Sequence, residues 1–304
     1  MRIVFMGTPE FAVNTLVEVS KKHEVVGVFT NKDKPFGRKQ EIVPSFVKKK
    51  ALELNLKVFQ PGKFNEDSVK TLKELNPEAV VVVAYGKILP KEVLEVPKYG
   101  CFNVHASLLP KYRGAAPIQA SIINGDSETG VSIIQMTPGL DDGDILKVLK
   151  TPIEINQTHP QLSKKLSELG AKAVCEVLDE VLKGELKRTP QNEEEKTYVF
   201  KIKKEMGQID FNKDAFFVHK LICGLCSWPV AYCFFNGKML KIHKSFLKED
   251  LNGKPGEILD EKNFVVACKK GAVRFLEVQL QGGKKMLAKD FLNGHKLEKG
   301  SILN

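Results

Sequence analysis

The chain has 304 residues, 42% hydrophobic and 28% charged, a balance that excludes a disordered or fibrous protein and allows two domains. It lacks a run of about 18 apolar residues and a signal-peptide start, so we expect a cytoplasmic protein without a membrane span. The net charge of +10 lies mostly in residues 201–304, whose 19 Lys/Arg against 11 Asp/Glu indicate a nucleic-acid partner or only a solvated, solubilising face.

The first two hundred residues alternate short apolar runs with helical patterns. Thr8-Pro9-Glu10 predicts a helix start directly after the first strand, with Thr8 as its cap. The alternation predicts a doubly wound, mostly parallel α/β sheet of the Rossmann-like kind, because continuous apolar strands belong in covered parallel sheets. The predicted strands are 2–7, 24–30, 57–60, 79–85, 102–105 and 131–137, and the predicted helices include 44–54, 68–75 and 161–182.

The pattern changes after a polar stretch. Short β-rich runs broken by glycine follow residue 207 and predict a small β-barrel resembling an OB fold. We therefore expect a catalytic domain over 1–188, a linker over 189–206 and a basic C-terminal β-barrel domain over 207–304.

A candidate site lies at the strand ends of the predicted sheet. Asn103 and His105 are two apart on one strand and so face the same side, where an amide and an imidazole can bind a carbonyl oxygen and the charge it gains. Asp141, in the loop Gly139–Asp144 after another strand, is expected at the same rim. Each feature also has a simpler explanation, a structural histidine or an ordinary Asp-Gly turn, and the combination is what favours chemistry.

The residues around this site resemble those of the folate-dependent formyltransferases. The runs NVHASLLPKYRGAAPIQ and TGVSIIQMTPGLDDGD carry the resemblance, which extends from MGTPEFA, KPFGR, VPSFVK and AYGKILP to TYVFKI, SWPVAY, PGEI, QGGKKM and DFLNG. RGAAPIQ and the C-terminal matches are most similar to the family's tRNA-directed members.

The resemblance implies an activity and a catalytic trio. The formyl group of 10-formyltetrahydrofolate would pass to the α-amino group of methionine on initiator methionyl-tRNA, by direct amine attack through a tetrahedral intermediate, for translation initiation. Our mechanistic hypothesis has Asn103 orient the formyl group, His105 stabilise the oxyanion and act as acid, and Asp141 tune His105 and accept the amine's proton. We expect a monomer that needs no metal.

Substrate contacts are also expected from the resemblance. Folate would be held by backbone of the loops near Leu89 and the Asp141–Gly143 turn, with candidate contacts at Leu89, Pro90, Ser107, Leu108, Leu109, Pro110, Asp141 and Gly143. The basic loop 31–43, by itself an exposed basic segment, resembles the insertion that engages the tRNA acceptor end, with candidate contacts at Lys34, Arg38 and Lys39. Arg113 is a further candidate, for which a structural role is the alternative.

Two other motifs do not support a function. Cys223 and Cys226 lack a second ligand pair at zinc spacing, which favours a structural role. The single glycine of Gly7-Thr8-Pro9 does not make a dinucleotide loop.

Two alternatives stay open. A formyltransferase of this kind can act on a small amine, such as an amino-sugar nucleotide or a ribonucleotide amine, although the basic loop and basic C-terminal domain favour RNA. An RNA-binding module that has lost catalysis is disfavoured by the intact Asn103, His105 and Asp141.

Overall fold

The structure, a computed structural model, describes residues 1–36 and 41–303, which divide into two units. The first unit comprises residues 1–114, 129–151 and 163–198, and the second comprises residues 115–128, 152–162 and 199–304. No helix in the described ranges is both long and apolar enough to span a bilayer.

Strands and helices alternate along the first two hundred residues, as the apolar pattern predicts. The strands are β1 (Arg2–Gly7), β2 (Glu24–Phe29), β3 (Lys34–Phe36), β4 (Glu41–Val43), β5 (Val58–Phe59), β6 (Ala79–Val83), β7 (Cys101–His105), β8 (Arg113–Gly114), β9 (Glu128–Gln135), β10 (Ile145–Pro152) and β11 (Tyr198–Val199). The helices are α1 (Val13–Lys22), α2 (Phe46–Glu53), α3 (Glu66–Glu74), α4 (Lys91–Leu94), α5 (Pro117–Ile123) and α6 (His159–Lys183).

Seven strands form the main sheet, in the order β10-β9-β7-β6-β1-β2-β5. The pairs from β7 to β5 are all parallel, and the chain winds from β1 outward in both directions. All five residues of β6 are buried, because helices cover both faces of a parallel sheet. The predicted doubly wound, mostly parallel α/β fold is confirmed.

One strand of the sheet runs against the expected direction. β9 is antiparallel to β7, with Ser132 opposite His105 and Gln135 opposite Phe102. The carboxyl end of β9 therefore lies beside the beginning of β7, so the strand itself does not carry Asp141 to the end of β7. Asp141 comes to β7 through the loop 136–144 instead.

The helix start after β1 also differs from its prediction. A short 3-10 turn (Glu10–Ala12) precedes α1, and Pro9 stands at its N-cap position without a side-chain hydrogen bond. The Thr8 hydroxyl instead donates to the carbonyl oxygen of Tyr85 at 3.3 Å and accepts from Asn31 Nδ2 at 3.1 Å. Thr8 thus joins the loops that follow β1, β2 and β6.

The first part of the expected linker belongs to the first unit. Ile145 and Thr189 exchange two backbone hydrogen bonds of 2.8 and 2.9 Å, and the Arg113 N–H donates to the Thr197 carbonyl at 2.8 Å. Residues 189–198 therefore pack beside β8 and β10.

The second unit is β-rich, as predicted. Its strands are β12 (Ala231–Phe235), β13 (Lys238–Lys248), β14 (Ile258–Asp260), β15 (Val265–Ala267), β16 (Ala272–Leu280) and β17 (Met286–Leu287), and its later helices are α7 (Ala215–Leu225) and α8 (Ala288–Gly294). The six strands form an antiparallel sheet in the order β12-β13-β16-β15-β14, and β17 pairs with β16. Val218 and Ile222 of α7 share its buried core with Ile242 and Phe275.

Candidate active site

Strand β7 places the two predicted side chains, Asn103 and His105, on one face. The Asn103 amide Nδ2 donates to Asp141 Oδ1 at 3.3 Å, and His105 Nδ1 lies 3.6 Å from Asp141 Oδ2. The side chain of His105 is 6% exposed and that of Asp141 is 16% exposed. The structure therefore brings an amide, an imidazole and a carboxylate together in a largely water-excluded position.

The Asp141 carboxylate is fixed by backbone as well as by side chains. Asp141 has a left-handed backbone, with φ of +50°, a conformation that aspartate tolerates better than most residues. Its Oδ2 accepts the backbone N–H of Gly114 at 2.8 Å. Both carboxylate oxygens thus have donors before any substrate binds.

Gln191 holds the loop that carries Asp141. Its Nε2 donates to the carbonyl oxygens of Asp141 and Gly143, both at 2.8 Å. Gly143 itself allows a close approach, because a Cβ at this position would lie 1.7 Å from the carbonyl oxygen of Gln135. Sequence reasoning missed Gln191, since it lies 50 residues beyond Asp141 in a polar stretch expected to be a linker.

The tautomer of His105 follows from its second contact. Nε2 lies 2.9 Å from the carbonyl oxygen of Tyr112, which can only accept, so Nε2 carries a proton. Nδ1 faces Asp141 and is then the ring nitrogen that remains for proton transfer. A proton on Nδ1 makes the ring cationic beside the carboxylate.

Arg113, a candidate tRNA contact, has a buried side chain whose guanidinium is bonded within the protein. Its side chain is 2% exposed, and Nη2 lies 2.6 Å from Glu193 Oε1. Nε and Nη2 also donate to Gln191 Oε1 at 3.0 and 2.9 Å. The hydrogen bond from Arg113, followed by that from Lys196, lowers the pKa of Glu193 to about 2. These contacts support the structural alternative, in which Arg113 orients Gln191.

The predicted folate contacts are largely inside the protein. Leu89, Ser107, Leu109 and Gly143 are buried, whereas Pro90, Leu108, Pro110 and Asp141 are half-buried. The Ser107 hydroxyl donates to the Lys111 carbonyl at 2.6 Å. The Ser132 hydroxyl donates to the Ser107 carbonyl at 2.8 Å and accepts the Leu109 N–H at 3.1 Å. The Ser107 hydroxyl, the Ser107 carbonyl oxygen and the Leu109 N–H are therefore all engaged within the protein.

Two buried polar atoms near β6 and β9 were not predicted as site atoms. Tyr85 Oη and Gln135 Oε1 have no hydrogen-bond partner within residues 1–36 and 41–303. Tyr85 belongs to an apolar cluster with Leu89, Val93 and Cys101, against which Met136 packs. Unpaired buried polar atoms are costly, so these two are candidates for contacts with a bound ligand.

The basic loop is only partly described. Lys34 is exposed on β3, which pairs with β4, whereas Arg38 and Lys39 lie outside the described residues. The base of the loop is held by Asp33, whose Oδ2 lies 2.6 Å from Lys48 Nζ and whose Oδ1 accepts Gln60 Nε2 at 2.8 Å. These hydrogen bonds, from Lys48 first and then Gln60, lower the pKa of Asp33.

Cys223 and Cys226 of the second unit differ in exposure, since Cys223 is buried and Cys226 is half-buried. Cys223 is buried, its Sγ lies 3.6 Å from His219 Nε2, and burial raises its pKa to about 11. Among the described side chains, no group of three or more His, Cys, Asp or Glu is placed to hold a metal ion.

An open α/β sheet that carries Asn103, His105 and Asp141 together defines an enzyme of the group-transfer class. The chain belongs to the formyl transferase family: the family's model, formyl transferase, matches residues 1–178, and its C-terminal domain model matches residues 201–296. The resemblance found in the sequence is confirmed.

Similar proteins share the whole length of this chain. Methionyl-tRNA formyltransferases of Caldanaerobacter subterraneus subsp. tengcongensis and Caldicellulosiruptor saccharolyticus are 47% and 46% identical to it, with 100% of both chains covered in each case. The solved N-formyltransferase of Helicobacter canadensis, in complex with folinic acid and dTDP-3-aminofucose, has a TM-score of 0.68 at 23% identity. It covers 93% of this chain and 99% of its own. The comparison with the Helicobacter canadensis structure shows a shared fold.

Proposed function

We propose that this chain transfers the formyl group of 10-formyltetrahydrofolate to the α-amino group of methionine on initiator methionyl-tRNA, for translation initiation. The observation that carries the proposal is the convergence of Asn103, His105 and Asp141 in the formyl transferase fold. Relatives at 47% and 46% identity over the full length support the acceptor. We place the enzyme in the cytoplasm as a monomer.

The acceptor amine needs little activation. An α-amino group has a reference pKa of about 7.7–8.0, so a useful fraction is neutral near pH 7. Direct attack on the formyl carbon gives a tetrahedral intermediate, and the work left to the protein is to stabilise its oxyanion and move protons. A covalent intermediate on a Ser or Cys is not required.

Asn103 and His105 supply the donors for the oxyanion. One N–H of the Asn103 amide donates to Asp141, and the second N–H is the one that would hold the formyl oxygen. Tyr112 fixes the His105 ring through Nε2, so Nδ1 presents its proton to the same side. The imidazolium would stabilise the negative charge and then donate this proton to the departing nitrogen, while Asp141 takes up the proton that the attacking amine loses.

Asp141 orients both groups and takes the proton of the amine. Its Oδ1 meets Asn103, and its Oδ2 meets the Gly114 N–H and faces His105 Nδ1. A carboxylate held in this way can accept the amine's proton directly or through water.

The residues near β6 fit a folate. The family uses folate derivatives, and the solved neighbour from Helicobacter canadensis contains folinic acid. Tyr85 Oη and Gln135 Oε1 are buried without partners in the part of the chain that the structure describes, and would pair with polar atoms of the pteridine. Backbone at Leu89, Pro90, Ser107, Leu108, Leu109, Pro110, Asp141 and Gly143 would line the remainder of the folate site. The bound folate supplies the formyl group.

The basic segments would engage the tRNA. We assign Lys34, Arg38 and Lys39 to the acceptor end and the basic C-terminal domain, residues 207–304, to the body of the RNA. Arg113 is not among these contacts, because Gln191 and Glu193 occupy its guanidinium.

The test is formyl transfer from 10-formyltetrahydrofolate to initiator methionyl-tRNA, measured beside an elongator methionyl-tRNA and beside His105→Ala. We expect transfer to the initiator alone and a loss of roughly 10²–10³ in kcat in the variant, about 3–4 kcal/mol of transition-state stabilisation. Unchanged activity in His105→Ala would remove His105 from the mechanism.

A small amine acceptor is the second candidate. The Helicobacter canadensis neighbour is bound to dTDP-3-aminofucose, an amino-sugar nucleotide. Transfer to such an amine, with none to either tRNA, would replace the proposed acceptor and leave the proposed chemistry of the trio intact.

A further inference from the structure

The second unit contains a cavity that the formyl-transfer chemistry does not use. Its volume is about 300 Å³, and it lies between β13, the turn after β14, β16 and the start of α8. Apolar and polar side chains both line it, and the polar and charged ones are Lys244, Lys262, Asn263, Arg274, Glu277 and Lys289.

The charge of this cavity is strongly positive. Lys244, Lys262, Arg274 and Lys289 line it, and none of the four lies within 4 Å of a carboxylate in residues 1–36 and 41–303. The carboxylate that lines it, Glu277, is already paired, with Oε2 2.5 Å from Lys285 Nζ. An anion that entered the cavity would therefore meet four cations without a carboxylate at contact distance in the described part of the chain, while Glu277 acts on Lys244 and Asp260 acts on Arg274 from further away.

A second carboxylate lies close by but is also occupied. Asp260 Oδ2 accepts Asn263 Nδ2 at 2.8 Å, and its Oδ1 accepts the backbone N–H groups of Lys262 and Asn263 at 2.9 and 3.0 Å. Asp260 thus shapes the turn that presents Lys262, and three donors already satisfy its oxygens.

Arg274, which lines the cavity, also carries an unpaired donor. Its Nε is buried and has no hydrogen-bond partner among the described residues. A guanidinium N–H left without an acceptor is costly, and a phosphate oxygen is one of the acceptors that guanidinium geometry suits best.

An aromatic side chain stands next to Arg274. Phe246 is directly opposite Arg274 on the antiparallel neighbour β13, so the two side chains emerge on the same face of the sheet. The ring of Phe246 is 46% exposed, and Lys248 Nζ lies 5.6 Å from its centroid. Cations beside an exposed aromatic face are the combination with which proteins bind a nucleic-acid backbone and a neighbouring base.

We propose that this cavity binds a backbone phosphate of the RNA substrate, with Lys262, Arg274 and Lys289 as its ligands and Phe246 as a contact for the adjoining nucleotide. The inference rests on the proposed tRNA substrate. The proposed function relies only on the overall attraction between a basic domain and RNA. The inference adds a defined binding site for one phosphate in the second unit.

The experiment compares two double variants of the full-length chain. Lys262→Gln with Lys289→Gln removes two charges from the cavity, and Lys238→Gln with Lys299→Gln removes two exposed charges of the same unit that do not line it. Affinity for initiator methionyl-tRNA is measured between about 50 and 200 mM salt. We expect the cavity variant to bind about tenfold more weakly and to lower the slope of log K against log salt by about 1–2, with a clearly smaller change in the control.

Arg274→Lys provides a variant that keeps the charge. It replaces the planar, forked guanidinium with a point charge, so affinity should fall while the salt slope stays near that of the wild type. Thermal unfolding of each variant checks that the second unit remains folded. Equal losses in the cavity and control variants, or no loss in either, would overturn the phosphate site.

Two further readouts separate this inference from the proposed function. At saturating tRNA the cavity variant should keep its kcat for formyl transfer, and a wild type that binds tRNA without formylating it would contradict the function and not the cavity. Titration with inorganic phosphate tests for a free anion. Thermal stabilisation by phosphate that the cavity variant loses, with tRNA affinity unchanged, would assign the cavity to a free anion and overturn the RNA site.

Discussion

Asp141 is held more tightly than a turn aspartate requires. Its two carboxylate oxygens meet Asn103 and the Gly114 N–H, and its carbonyl oxygen meets Gln191. The left-handed φ of +50° means that the backbone of this residue is itself part of the arrangement. A substitution that tests the carboxylate must therefore preserve the backbone.

Asp141→Asn meets this requirement, because asparagine tolerates the left-handed region as well as aspartate does. The amide oxygen can still accept from Gly114, but the NH2 then replaces the oxygen that accepts from Asn103. The amide also carries no charge and cannot take the amine's proton. We expect kcat to fall by about 10²–10⁴-fold with thermal stability nearly unchanged. Steady-state formyl transfer and a melting curve measure the two quantities, and near-wild-type kcat would show that the carboxylate only positions the loop.

At the level of residues, the sequence predicts what depends on local spacing. The two-residue period of a strand is enough to place Asn103 and His105 on one face. It does not predict that Arg113 is buried, because its partners Gln191 and Glu193 lie 78 and 80 residues away. Nor does it predict Gln191, whose two hydrogen bonds to the Asp141 loop form only after distant segments have packed.

At the level of elements, the path of the loop 136–144 is what the sequence does not predict. A parallel β9 would have delivered Asp141 to the rim directly, whereas the antiparallel β9 leaves the loop to cross beside β7. Apolar content identifies a buried strand but does not reveal its direction, since the same side chains are buried either way. The Asp141 position consequently depends on the packing of this loop.

Gly143→Ala should displace the loop without changing any side chain of the trio. Its Cβ would lie 1.7 Å from the Gln135 carbonyl oxygen, so the backbone must move. A shift of about 1 Å in a catalytic group can cost about 10²-fold in rate, which is the loss in kcat that we expect. Gly294→Ala is the control, because a Cβ there meets nothing within 4 Å. Equal activity in the two variants would mean that the loop position is not critical.

Helix α7 carries a histidine that should make the second unit acid-sensitive. His219 is 1% exposed, its Nδ1 lies 2.8 Å from Ser245 Oγ, and burial, with a smaller effect of Lys220, lowers its pKa to about 4. The folded state keeps the ring neutral, whereas the unfolded chain binds a proton below the usual value of 6.5. Stability is therefore full above pH 6.5 and is lost as the pH falls from 6.5 towards 4.

The size of this loss follows from the shift. Between pH 7 and about pH 4.5 we expect a loss of about 2–3 kcal/mol that His219→Gln does not show, because its amide does not titrate and can still bond Ser245. Urea unfolding of both proteins at several pH values measures the difference. Parallel pH profiles for the wild type and the variant would exclude His219 as the source.

At the level of the whole molecule, the sequence predicts the secondary-structure class of residues 1–200 and of the residues after 207. The alternation of apolar strands and helices in residues 1–200 and the short β runs after residue 207 are both reproduced. It does not predict the division of the chain, in which residues 115–128 and 152–162 group with the second unit although they flank strands of the first. Local pattern cannot show such a grouping, which depends on tertiary packing alone.

The uneven charge of the chain leads to the last prediction. Residues 201–304 carry 19 Lys/Arg against 11 Asp/Glu, whereas the whole chain has a net charge of +10, so about four fifths of the excess lies in the last third. If this part engages the RNA and the trio performs the chemistry, salt should weaken tRNA capture and leave the chemical step alone. Log(kcat/KM) for initiator methionyl-tRNA should then fall linearly with log salt, through a rising KM at constant kcat. A small amine acceptor with the same folate donor provides the comparison, since it releases few counterions and should give a nearly flat line. Two lines of equal slope would place the salt effect in the folate or catalytic step, and the basic domain would then have no part in capturing the RNA.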